Sequence, residues 1–350
     1  HIYVFKEVLV VMRSHEKPFI DDPEKERLVT DSSQPNIYSN PEKFEVILYD
    51  VNGKIKEFKR NTVIGNYQTS RLSSEGLLTL VTTRTLASAY NSVDKNLSRM
   101  QSVFDHIDCT QVSRPVVNDL ANSLTSIHSF DLSQPTKSNH KETHLMGYHS
   151  LAYMQKNLYL TKTNIHWFWE DTRVGELRDK NFTTMLTLKN NQWKDSARIE
   201  YSGYTPNVWS FKEIEDNFYI ATTGNGQNNH NQLKVFKNVD DELFEMGSIT
   251  NIAPGERLRA ARFSEDFAYL VTFRDYDPLF VIDLKNKDVP QIVSELKIPG
   301  YSSYLHKTND NKLIGVGYGE RQALLQLSLF DVSNPCLLYT SDAADEADSV

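Results

Sequence analysis

Side chains able to grip a ligand are densest in the run Ile165-His166-Trp167-Phe168-Trp169-Glu170-Asp171. Indole planes beside carboxylates suit stacking on sugar rings or holding a peptide; burial of the same rings against the fold is the other role open to them. A second polar turn, Phe273-Arg274-Asp275-Tyr276-Asp277-Pro278, offers Arg274 and Asp277 to the same ligand or to a structural ion pair. His166, Trp167, Trp169, Glu170, Arg274 and Asp277 are therefore the candidate binding residues.

Reactive chemistry finds less support. His140, His144 and His149 follow Pro135, Ser138 and Asn139, which signal loop, so no helix places the first two on one face, and they are expected on solvated loop and sheet edge. Asp105-His106-Ile107-Asp108-Cys109 gathers ligand-type side chains without an identifiable activating partner for the thiol. Gly315-Val316-Gly317-Tyr318-Gly319 lacks the spacing of a phosphate loop and runs from strand to strand, with no helix N-terminus to follow. Gly300-Tyr301-Ser302-Ser303-Tyr304 lacks the second glycine of a nucleophile elbow, and Ser14-His15-Glu16-Lys17 matches a serine–lysine pattern by spacing only. No catalytic residue, metal or cofactor is expected.

These residues must be carried by some framework, and the composition bounds it. The chain has 350 residues, 39% hydrophobic and 24% charged, which describes a folded globular domain with no apolar stretch long enough to span a bilayer. Net charge is −8, half of it from Asp342, Asp345, Glu346 and Asp348. Scattered mild acidity gives no electrostatic footprint for nucleic acid. Residues 336–350 break abruptly from the preceding pattern, and Cys336 to Glu346 resembles a translated sequencing adapter; this tail is expected to be non-native and to pack on nothing. His1 opens inside an apolar run, so the chain is expected to be an N-terminally truncated piece. Of its two cysteines only Cys109 lies outside the tail, which leaves no internal disulfide.

Three markers recur in one order along residues 1–335. An apolar strand ends near an acidic or polar position at Tyr49-Asp50-Val51, Phe130-Asp131-Leu132, Leu186-Thr187-Leu188, Val235-Phe236-Lys237, Ile282-Asp283-Leu284 and Phe330-Asp331-Val332. A glycine precedes a short strand at Gly65, Gly147, Gly203, Gly255 and Gly300. A β-rich run recurs between them, as at Leu77 to Thr82 and Ala268 to Thr272. The basic spacing of roughly 45 to 50 residues, filled by short strands and turns, predicts an all-β fold: a β-propeller of four-stranded blades (strands a to d), about five and a half of them. The count begins at a strand b and ends at a strand c, so an unpaired blade edge is expected. Surplus length falls between strands b and c, at Arg13–Lys43, Thr83–Ser123, Asn164–Phe182 and Gly224–Asn231, and elaboration of one face is a binding-site pattern. In the second surplus, residues 84–123, the stripe Leu86, Tyr90, Val93, Leu97, Met100, Phe104, Ile107 predicts an amphipathic helix at about 86–107 that packs on the propeller.

Gly255-Glu256-Arg257, Ala261-Arg262-Phe263, Ala268 to Arg274, Asp277 to Leu284, Leu296 to Tyr301 and Leu329 to Val332 together resemble the beta-propeller domain family. These are prokaryotic proteins, predicted to be secreted, with a C-terminal propeller distantly related to WD-type repeats. The resemblance is specific over about 204–335 and looser before it. It implies export and supplies no reaction. The expected function is binding of a protein or glycan at the elaborated face; the alternative is a polysaccharide-active enzyme with carboxylates at the channel mouth.

Overall fold

The computed structural model describes all residues except 15–42, 87–103, 105–106, 108–111, 114–122, 136, 138–139, 148, 163–179, 225–229, 274–276, 299, 320–324, 336–338 and 343–350. Its described residues fold into six sheets, each built on four antiparallel strands that follow one another in chain order, as in a propeller blade, and one of them carrying a fifth, short strand. The first sheet is β1 (Ile2–Phe5), β2 (Val8–Ser14), β3 (Lys43–Asp50) and β4 (Lys56–Ile64). The second is β5 (Asn66–Leu72), β6 (Leu77–Thr85), β8 (Ser123–Asp131) and β9 (His140–Met146), extended by the two-residue β7 (Val112–Ser113), which lies parallel to β9. The third is β10 (Leu151–Met154), β11 (Leu158–Lys162), β12 (Lys180–Lys189) and β13 (Gln192–Ser202). The fourth is β14 (Phe211–Ile214), β15 (Asn217–Thr222), β16 (Asn231–Val239) and β17 (Glu242–Ile252). The fifth is β18 (Arg257–Phe263), β19 (Phe267–Phe273), β20 (Asp277–Asp283) and β21 (Gln291–Ile298). The sixth is β22 (Tyr301–Lys307), β23 (Lys312–Tyr318), β24 (Leu325–Asp331) and β25 (Tyr339–Asp342).

Five and a half blades thus become six sheets, because both ends hold a strand that the repeat count passed over. At the start, Lys6 takes a positive φ of 51° and closes a tight hairpin, so Ile2–Phe5 pairs with Val8–Val11 as a separate strand. At the other end, residues 339–342 pair with Ser328–Asp331. The expectation that everything from 336 onward packs on nothing, and that a blade edge is left open, is corrected by this ladder: backbone N–H and C=O groups pair whatever the side chains that accompany them.

Two markers have a direct physical basis. The strand-ending Asp50, Asp131, Asp283 and Asp331 each accept a hydrogen bond at Oδ1 from the backbone N–H two residues on, at 2.8–2.9 Å, forming an Asx turn. The next residue after each aspartate donates its N–H to the turn joining the first two strands of the same sheet, as in Leu132 to Gly76 O and Leu284 to Asp266 O. In the third and fourth sheets the corresponding turn is a two-residue pair with positive φ, Asn190-Asn191 and Asp240-Asp241, and no Asx turn is needed. The marker glycines all have positive φ. A Cβ on Gly203 would collide with Thr223 O, and one on Gly300 with Tyr318 O, so these two positions exclude other residues on conformation and space together.

The chain divides into two compact units, residues 1–154 with 187–195, and residues 155–186 with 196–350. In the first, β2, β3, β4, β6 and β8 share a core that includes Val10, Val46, Leu80 and Phe130. The second shows why its strands are apolar at consecutive positions. Ala268 and Leu270 of β19 join Phe280 and Ile282 in a core with the fourth sheet, while Tyr269 and Val271 join Leu279 and Val281 in a core with the sixth. One strand serves two cores because both faces of its sheet are buried.

Of the 86–107 stripe, Leu86, Phe104 and Ile107 are described and pack with Leu124, Val112 and Met146 of the second sheet. The rest of the expected helix lies outside the described residues.

Candidate functional site

Of the sequence-predicted binding residues, His166, Trp167, Trp169, Glu170 and Arg274 lie outside the described residues, as do Asp105 and Cys109. Asp277 opens β20 opposite Ile298 of β21, which places its backbone beside the connection between β19 and β20. The long connections sit where expected: residues 15–42, 86–122 and 163–179 each join the second and third strands of a sheet, and so does the shorter 223–230.

Two polar groupings emerge instead, one in each unit. In the second unit, the first strand of the fourth sheet is interrupted. Tyr204 bridges to Thr223, residues 205–210 leave the ladder, and pairing resumes at Phe211 opposite Ile220. The excursion contains a single 3-10 turn, Val208–Ser210, capped by Asn207, whose side chain accepts the Trp209 N–H at 2.9 Å. Trp209 is 44% exposed, a large area of indole for a structured residue. The Arg262 guanidinium lies 5.4 Å from its ring centroid, and Tyr304 meets it edge-on at 5.4 Å. Arg262 stands on β18 and Tyr304 on β22, so three first strands in succession supply the group, and β18 packs directly against β22. A cation on one side of an indole and a ring at its edge hold it upright without burying it. Tyr304 OH lies 3.4 Å from His306 Nδ1, adding a polar neighbour. The sequence signal was available in the repeat: between Gly203 and its strand stand extra residues that Gly65 and Gly300 lack.

The grouping in the first unit corrects the expectation for its histidines. His140 and His144 are on β9, and His144 is almost fully buried. The preceding loop signals concealed a strand in which positions 140, 142 and 144 alternate onto one face. Opposite them on β8, Phe130 pairs with His140, His128 with Glu142, and Ser126 with His144. Three side-chain atoms converge: His128 Nδ1 lies 3.3 Å from His140 Nε2 and 3.1 Å from Glu142 Oε1, and His140 Nε2 lies 3.3 Å from that same oxygen. The other carboxylate oxygen is 3.2 Å from His144 Nε2, and His144 Nδ1 is 2.9 Å from Ser126 Oγ. His149, also buried, bonds Thr125, 2.8 Å away.

Electrostatics in this cluster follow from burial. Desolvation keeps His128 neutral and lowers His140 to about 4, with the neighbouring imidazole adding to the shift. Hydrogen bonding to His128 and His144 holds the Glu142 carboxyl far below the usual carboxylate range. Neutral imidazole nitrogens and an ionised carboxylate are the donor set of a borderline divalent metal, and among the described residues this is the one grouping of three such ligands.

No described helix is long and apolar enough to cross a membrane. Over 194 residues, 53% of the chain, the sequence is 40% identical to an uncharacterised protein of Methanocaldococcus jannaschii, of which the match covers 28%. Over 128 residues, 37% of the chain, it is 43% identical to an uncharacterised protein of Archaeoglobus fulgidus, of which the match covers 20%. The matches therefore span less than a third of each relative. The ordered markers, the six blade-like sheets and a match of the beta propeller domain model to residues 1–346 together establish that the chain belongs to the beta-propeller domain family.

Proposed function

We propose that this domain is a binding module for a protein or glycan, acting at the face that carries the connections between second and third strands. The observation that carries this reading is Trp209, exposed and held upright by Arg262 and Tyr304. It stands where one blade passes into the next, and in a propeller those passages open on the same face as the second-to-third-strand connections. Fixed aromatic planes with a neighbouring cation are efficient contact surfaces, since little side-chain entropy is lost when a sugar or a proline ring stacks on them. His166, Trp167, Trp169, Glu170, Arg274 and Asp277, which the sequence assigns to connections of this type, are proposed to complete the surface. Export of the protein is part of the same proposal and rests on the family resemblance.

The test is Trp209→Ala on glycan and peptide arrays, alongside the Trp167→Ala, Trp169→Ala double variant. Because Trp209 is already half in solvent, its truncation is expected to weaken binding about 10-fold or more while leaving the thermal midpoint nearly unchanged. Binding equal to wild type in the folded variant would overturn the role of this platform.

A further inference from the structure

We propose that His128, His140 and Glu142 on the outer strands of the second blade form a divalent metal site of the zinc class, with His144 as a positioning residue behind the carboxylate. The geometry is specific. A tetrahedral ion bound at about 2.0–2.1 Å holds its ligand atoms roughly 3.3–3.4 Å apart. The three converging atoms stand 3.1, 3.3 and 3.3 Å from one another. An ion seated over that triangle has one position left for water or a further ligand.

Hydrogen bonding alone cannot satisfy the triangle. If both imidazoles donate to Glu142 Oε1, their two N–H groups face each other across 3.3 Å; if one donates to the other imidazole, the recipient's lone pair confronts the carboxylate. One edge is repulsive in either arrangement of neutral rings. A cation makes all three favourable at once, because each atom then offers it a lone pair.

The surroundings are those of a built ligand set. His128 Nε2 lies 3.3 Å from Thr82 Oγ1, which can accept its proton and so leave Nδ1 free to ligate. The His140 ring stacks on the buried Phe130 at 4.4 Å with an interplanar angle of 1°, fixing its direction. Glu142 is oriented through Oε2 by His144, itself held by Ser126. His128 is 2% exposed while His140 and Glu142 are 22% and 33% exposed, so one ligand anchors the ion and two open a way in. Two cations stand nearby and are tethered elsewhere: Arg84 Nε donates to Ile64 O at 2.6 Å, and Lys59 Nζ to Lys137 O at 3.2 Å. Two nitrogen donors disfavour magnesium and calcium, which take oxygen.

The experiment is calorimetric titration of Zn²⁺ into chelator-treated, dialysed protein, with visible absorption of the Co²⁺-loaded form. One Zn²⁺ per chain is expected, with the intense d–d bands of tetrahedral Co²⁺. Glu142→Gln and His140→Ala are expected to weaken uptake at least 10-fold, and His230→Ala, a change just before β16 of the fourth sheet, to leave it unchanged. His144→Ala removes an orienting hydrogen bond and no ligand; it should keep the stoichiometry and the Co²⁺ spectrum at about 10-fold weaker affinity. Absence of stoichiometric uptake by the wild type overturns the proposal, as does undiminished uptake by a folded Glu142→Gln variant. Should the variants fail to fold, the wild-type stoichiometry and the Co²⁺ spectrum decide it alone.

Discussion

Glu213 is 3% exposed, and its carboxylate is nonetheless fully engaged. It accepts from the backbone N–H groups of Lys156 and Asn157 at 2.9 and 3.0 Å, from the Asn157 amide at 2.5 Å and from Tyr159 OH at 3.1 Å. A buried charge tolerated in this way ties the start of β11 to β14. Lys162 stands at the other end of β11. Burial, assisted by the like charge of Arg198, lowers its ammonium to about 8. Between pH 8 and about 10.5 the unfolded chain holds a proton that the folded chain has released, so stability rises with pH across that window and the penalty is fully present below it. Lys162→Met is therefore expected to stabilise the protein at pH 7 by about 1–2 kcal/mol, after allowance for partial exposure, and to abolish the alkaline rise. Urea denaturation of both proteins at pH 7, 8, 9 and 10 checks this; a wild-type curve flat over the window would refute it.

The elements that could be recognised from sequence were those whose markers carry a backbone requirement. Asp131 and Asp283 recur because an Asx turn needs a side-chain acceptor there, and Gly203 and Gly300 because a Cβ has no room. Chemistry of this kind leaves the same residue in the same place, so the blade order and the location of the long connections could be read directly. β25 carries no such marker and differs in composition from what precedes it, and so it was missed. Its backbone ladder to β24 gives it a testable role. A chain ending at residue 335 would bare the outer side of β24, and is expected to melt several degrees lower and to associate more readily, as measured by thermal denaturation and light scattering. An unchanged midpoint would mean that the pairing of residues 339–342 contributes nothing. The polar groupings were harder to read for a different reason. His128 and Glu142 are brought together by the cross-strand register of β8 with β9, and Trp209 with Arg262 and Tyr304 by the packing of successive blades, neither of which is local in sequence.

At the scale of the whole molecule, each sheet is a single continuous run of chain, and the connections inside it differ in length mainly between the second and third strands. That inequality sets a timetable for folding. Closing a loop costs entropy that grows with the logarithm of its length, by about 0.6 kcal/mol per doubling. The connection between β2 and β3, residues 15–42, is roughly 3.5 times as long as residues 223–230 between β15 and β16, so β3 reaches β2 against an extra cost of about 1.1 kcal/mol compared with β16 reaching β15. In pulse-labelled hydrogen exchange, amides of the fourth and fifth sheets are expected to become protected severalfold sooner than those of β2 and β3, and simultaneous protection would contradict it. The sheets with the longest connections would then be the last to close, leaving their strands in a newly made molecule exposed to proteases and chaperones after the later sheets have formed.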